Sequence, residues 1–123
     1  MVVSLEGKLG VGKTTFVRGI AEALRIEEQV TSPSFTIMSV YRAPVSLYHI
    51  DLYRIDEFAE IIDAGLEDVL FDNQDGVVVI EWGEKAGGIL PKETIQVSIA
   101  FAEGDSAGQE KDSRTISISG IEL

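Results

Sequence analysis

The period of the apolar positions changes several times along the chain, and each change marks an element. Residues 2–5 are apolar enough for a buried strand. Across residues 15–26, Val17, Ile20, Ala21 and Leu24 recur at i, i+3, i+4 and i+7 with Arg18, Glu22 and Arg25 opposite, which predicts a helix with one face on a sheet. The pattern fades at Glu27-Glu28-Gln29, a loop. Val30-Thr31-Ser32-Pro33-Ser34 is dense in hydroxyls, and Pro33 biases Ser32 toward extended geometry. Residues 35–41 and 45–50 read as antiparallel strands around a turn at Arg42-Ala43-Pro44, the second ending at Asp51. Two short helical repeats follow, Phe58, Ile61, Ile62 and then Leu66, Val69, Leu70, with Gly65 between them and Glu57, Glu60, Asp63, Glu67 and Asp68 facing outward. Val77-Val78-Val79-Ile80 runs without alternation, as suits a strand covered on both faces, and it ends at Glu81. Residues 84–91 read as a loop; Ile95, Val97, Ile99 and Phe101, then Ile116 and Ile118, alternate with polar or small residues and predict a C-terminal β-hairpin with one buried face. The expected fold is α/β, a mixed central β-sheet flanked by helices, in one domain over residues 1–123.

Composition narrows the function. A chain of 123 residues can bury a core without help from disulfides. With no Cys and one His, a tetrahedral nitrogen and sulfur metal site is excluded on ligand count. No apolar run exceeds four residues and no basic segment precedes residues 2–5, so neither a membrane span nor a secretory signal is expected, and a cytoplasmic protein is the simplest reading. The net charge of −11 argues against independent nucleic-acid binding, which uses a basic face. Between residues 55 and 84 lie ten Asp or Glu and no Lys or Arg, either a solvated face or a surface for a basic partner.

The candidate chemistry begins at residues 7–14, GKLGVGKT, which satisfy GxxxxGK[ST] between a predicted strand and a predicted helix. Gly7, Gly10 and Gly12 allow the backbone to curl with positive φ. The backbone of Gly10, Val11, Gly12, Lys13, Thr14 and Thr15 would then aim N–H groups and a helix N-terminus at a polyphosphate such as ATP or ADP. Lys13 would reach the β and γ oxygens and act in catalysis, and the Thr14 hydroxyl would bind Mg²⁺. Magnesium usually takes one or two carboxylates as well, and ligands of open α/β sheets sit beyond the carboxyl ends of the strands. Asp51 and Glu81 end apolar strands and are assigned to the metal or its water shell, Glu81 also to orienting the attacking water. His49 shares a strand face with Asp51 and reads as a satisfied core histidine or one that supports the site. Ser32 and Ser34 lie in a loop that a γ-phosphate could order. Arg42 and Arg54 are candidate charge stabilisers, and Tyr53 and Trp82 are packing residues with a polar edge, Trp82 close enough to report on a nucleotide.

The segments GKLGVGKTTFVRGIAEAL, VTSPSFTIMSVY, LYHIDLYRI and VVVIEWGEK occur in an order and spacing that resemble the bacterial TsaE (YjeE) family, the P-loop ATPases of tRNA threonylcarbamoyladenosine synthesis. The resemblance covers residues 5–97. It implies a P-loop NTPase-like domain that hydrolyses ATP with TsaB and TsaD while threonylcarbamoyl is transferred to an adenosine of tRNA, the tRNA being touched only indirectly. It also places Ser34 where the family usually has a threonine that senses the nucleotide state, and Trp82 beside the site. Family members generally carry about a strand and a helix before the first cradle strand, on which this chain opens directly. A small-molecule kinase is the competing enzyme, although only Arg18, Arg25, Arg42 and Arg54 lie outside the hairpin to furnish a lid. A nucleotide-dependent assembly module with negligible turnover would use the acidic block for docking. A GTPase switch is disfavoured: DxxG at residues 105–108 falls in the hydrophilic connection, and the single asparagine, Asn73, precedes Gln74, so NKxD cannot occur.

Overall fold

The first strand, β1 (Val2–Glu6), runs through the middle of the sheet, as its burial demands. The structure is a computed structural model that describes residues 1–33, 37–72, 76–102 and 113–120. After β1 come α1 (Lys13–Ala23), β2 (Met38–Tyr41), β3 (Ser46–Asp51), α2 (Phe58–Asp63), α3 (Leu66–Asp72), β4 (Gly76–Glu81), β5 (Ile95–Phe101) and β6 (Arg114–Ser119). The sheet order is β2-β3-β4-β1-β5-β6. The inner strands β3, β4, β1 and β5 are mutually parallel, and β2 and β6 close the edges antiparallel. This register lines Asp51 up with Glu81 and Glu81 with Leu5, so the carboxyl ends of β3, β4 and β1 meet at one rim.

Each face of the sheet has its own core. Val17 and Ala21 of α1 pack with Val3, Leu5, Leu47, Val79, Val97 and Ile99 on one side. On the other, Ile61, Leu66 and Leu70 of α2 and α3 pack with Val2, Ile50, Leu52, Val78 and Ile80. Covering from both sides is what the unbroken apolar run of β4 requires. Among the described residues, no helix is long and apolar enough to cross a membrane.

Several boundaries differ from expectation for identifiable reasons. Helix α1 begins at Lys13, so Lys13 and Thr14 form its first turn, and it stops before residue 26. Its stop is a Schellman arrangement, with the Arg25 amide donating to Glu22 O and the Ile26 amide to Ala21 O; Arg25 takes the positive φ of 60° that usually marks a glycine. In the short α2 only Ile61 is buried, and Phe58 and Ile62 stay 46% and 39% exposed. The hairpin β5–β6 forms, but β6 lies at the edge while α1 covers the middle of the sheet, which leaves Ile116 and Ile118 exposed instead of buried. Phe35, Thr36 and residues 105–108 lie outside the described residues.

The expected loop at residues 84–91 is instead two 3₁₀ turns, Gly83–Lys85 and Gly87–Ile89. The first packs against β1 so closely that a Cβ on Gly83 would stand 1.8 Å from Ser4 Oγ and 2.8 Å from Ser4 Cβ. Gly83→Ala should therefore destabilise the fold by about 1–3 kcal/mol, read as a lowered melting temperature. A second substitution that shortens Ser4 to glycine should recover part of that loss.

Candidate functional site

The site lies where the rim of acids meets the loop after β1. That loop turns on three glycines with positive φ, 154° at Gly7, 80° at Gly10 and 115° at Gly12. Gly7 could not carry a side chain in any case, because its Cβ would be 2.5 Å from Ile99 O. No side chain caps α1 at Gly12, so the helix presents its first N–H groups to the space in front of it. A cavity of about 290 Å³ opens there. Gly10, Gly12, Lys13, Thr14 and Thr15 line it from the loop and helix, and Asp51, Glu81 and Trp82 from the strand ends. Val11 belongs to the loop but turns its side chain into the core, 1% exposed, and its amide donates to Lys8 O at 3.1 Å.

Lys13 is 5% exposed and donates from Nζ to the carbonyls of Gly7 at 2.5 Å and Lys8 at 3.0 Å. The same nitrogen lies 4.0 Å from the centre of the Trp82 ring. Burial pushes the Lys13 amine below its ordinary pKa, and the charges of Glu81, Glu84 and Asp51 partly offset this. Thr14 Oγ1 is 3.0 Å from both carboxylate oxygens of Glu81. Glu81 is itself 4% exposed, and its Oε2 meets His49 Nε2 at 2.5 Å. Asp51 is braced on both oxygens: Oδ1 accepts the Tyr53 amide at 3.0 Å and Oδ2 the Ser32 hydroxyl at 2.7 Å. Two carboxylates and a hydroxyl are hard oxygen donors of the kind magnesium takes.

Trp82 follows Glu81 in the left-handed region, φ 59°, which turns the chain sharply after β4 and carries the indole over Lys13. Tyr53 packs against that indole with ring centres 5.3 Å apart and also lines the cavity, a position that sequence reasoning assigned to packing alone. Its place two residues beyond Asp51 was the available signal. Glu84, whose charge acts on Lys13, and Arg114, whose Nε donates to Val11 O at 2.8 Å, were also missed. The arginine is 103 residues from its partner, so nothing local announces it. Arg42 is exposed in the β2–β3 turn at the opposite rim, away from the cavity, whereas Arg54 is exposed just beyond Tyr53 on the cavity's side of the sheet. Ser34 lies outside the described residues.

A sheet with a parallel centre, opened by a strand, a GxxxxGK[ST] loop and a helix, defines an α/β domain of the P-loop type. Residues 1–112 match the family model described as "Threonylcarbamoyl adenosine biosynthesis protein TsaE". The chain belongs to the TsaE family. The "tRNA threonylcarbamoyladenosine biosynthesis protein TsaE" of Treponema pallidum is 42% identical over 105 residues, 85% of this chain and 76% of that protein. Its namesake in Bacillus subtilis is 45% identical over 105 residues, 85% of this chain and 64% of that one. The crystal structure of YdiB from Bacillus subtilis superposes with a TM-score of 0.63 at 37% identity, over 85% of this chain and 62% of that one. The chain therefore spans somewhat less than two-thirds of the length of some relatives it matches.

Proposed function

We propose that this protein binds ATP in the cavity and hydrolyses it with Mg²⁺, as the ATPase subunit that supports threonylcarbamoyl transfer to an adenosine of tRNA together with TsaB and TsaD. The observation that carries the reading is the convergence of Lys13, Thr14, Asp51 and Glu81 on one cavity in front of an uncapped helix. The loop amides and Lys13 would hold the phosphates, Lys13 exchanging the Gly7 and Lys8 carbonyls for phosphate oxygens. Among the described residues no three His, Cys, Asp or Glu cluster as a self-sufficient metal site. Two carboxylates with a hydroxyl instead fit a magnesium that takes its remaining ligands from phosphate and water. Bound by Thr14, Asp51 and Glu81, directly or through water, Mg²⁺ would supply neutralisation of charge on the phosphates. Glu81 would accept a hydrogen bond from the attacking water and set its direction. Ser32 and the Tyr53 amide would hold Asp51 in place.

The net charge of −11 supports leaving the tRNA to the partner subunits in a cytoplasmic complex. Lys13 and Glu81 already hold partners within the protein, which favours slow turnover by the isolated subunit. The exposed Phe58, Ile62 and Phe71 stand among the acids of α2 and α3, which favours a further role in nucleotide-dependent assembly.

Trp82 emission tests the first half of the reading. Titration with ATP or ADP and Mg²⁺ should give a saturable change, weaker for GTP and weaker without Mg²⁺, and silence toward all of them would dismiss the nucleotide site. Turnover should rise when TsaB and TsaD are added; a rate indifferent to them would dismiss the proposed complex.

A further inference from the structure

His49 is the chain's single histidine, and β3 carries it into the sheet with 0% exposure. It is paired with Val79 of β4 and Ser39 of β2, on the face that also carries Asp51 two residues on. One ring nitrogen, Nε2, reaches Glu81 Oε2 at 2.5 Å. The other, Nδ1, is buried without a partner among the described residues. A carboxylate oxygen accepts, so it is Nε2–H that donates to Glu81, and Nδ1 gains nothing from its place in the interior. An unpartnered buried ring nitrogen weakens the core, and an aliphatic side chain would avoid the loss. The imidazole is therefore explained by what Nε2 holds.

We propose that His49 is a positioning residue for Glu81, fixing Oε2 through Nε2–H so that Oε1 is the oxygen kept for the cavity. The Thr14 hydroxyl has one proton and lies 3.0 Å from both oxygens, so it cannot select between them. Once that hydroxyl turns to another acceptor, the imidazole is the donor that still holds the carboxylate. His49 touches no cavity space and acts only through Glu81. The consequence for turnover rests on the ATPase reading above; the contact itself does not.

Having one histidine makes the experiment direct. In protein labelled with ¹⁵N-histidine and studied without nucleotide, the ring should be the Nε2–H tautomer, with a slowly exchanging, strongly downfield proton that disappears in Glu81→Ala. An Nδ1–H tautomer, or a ring spectrum indifferent to Glu81→Ala, would overturn the proposal. In the nucleotide-dependent arm, His49→Leu should leave ATP affinity unchanged by Trp82 emission while kcat falls about 10–100-fold. His49→Gln, which restores an N–H donor on a side chain of similar reach, should regain most of the rate. Wild-type kcat in a folded His49→Leu protein, or a folded His49→Gln protein no faster than it, would also overturn the proposal. Wild-type protein that neither binds nor hydrolyses ATP would dismiss the ATPase reading, and the tautomer measurement would then decide the Glu81 contact alone.

Discussion

Lys13→Ala should abolish the Trp82 response to ATP with Mg²⁺ at ordinary nucleotide concentrations, and ATP turnover with it. Among the described residues lining the cavity, Lys13 is the sole cation, while Asp51 and Glu81 line it as anions and Glu84 adds its charge nearby. Its removal would leave a polyphosphate facing carboxylates without the charge proposed to draw it there. Truncating one partner of a buried charge pair costs about 2–5 kcal/mol, or roughly 30- to 4,000-fold in affinity. The loss is separable from unfolding. Burial lowers the Lys13 pKa, so the native state binds that proton less tightly than the unfolded chain does. The sign follows: the penalty is fully present below the native pKa and fades as pH rises through it toward the ordinary lysine range. The alanine also leaves the Gly7 and Lys8 carbonyls without their donor, so the melting temperature of Lys13→Ala, measured beside the titration, tells lost binding from lost folding. Retained nucleotide binding in the variant would remove the cavity from consideration as a phosphate site.

Glu81→Ala should have a different signature: turnover should fall by about 10²–10⁴, the range for loss of a positioned proton acceptor, while ATP affinity should hold or improve because a negative charge would leave the phosphates' surroundings. The alanine also strands the His49 Nε2–H and the Thr14 hydroxyl, which Glu81 now satisfies. A buried donor without an acceptor costs about 1–3 kcal/mol, so Glu81→Ala should melt earlier and Glu81→Gln, which keeps an acceptor, should melt later than it. Steady-state kinetics beside Trp82 titration distinguish the cases. An equal fall in turnover and affinity would assign Glu81 to binding instead of to water.

What could be read without coordinates was whatever a few adjacent residues decide. The glycine spacing of residues 7–12 dictates the curl, and an acid after an apolar run, as at Asp51 and Glu81, announces a strand tip. What escaped depended on distant neighbours or on backbone states adopted by unexpected residues. Arg25 and Trp82 sit at positive φ where sequence rules look for glycine. The apolar alternation of β6 is the same whether or not a helix reaches over it, and α1 does not. Likewise, the Ser32 hydroxyl finds Asp51 across 19 residues, and the Arg114 side chain finds Val11 only once β6 has closed the edge.

The alignment of Asp51, Glu81 and Leu5 along the rim makes the chemistry hostage to strand pairing. Inserting one residue within β4 would swap its two faces, burying Glu81 beneath α2 and α3 and lifting an isoleucine into the cavity mouth. The hydrogen-bond ladder that builds the hydrophobic interior thus also works as the ruler by which the acids are set opposite the lysine, and a sequence cannot lose one measure while keeping the other.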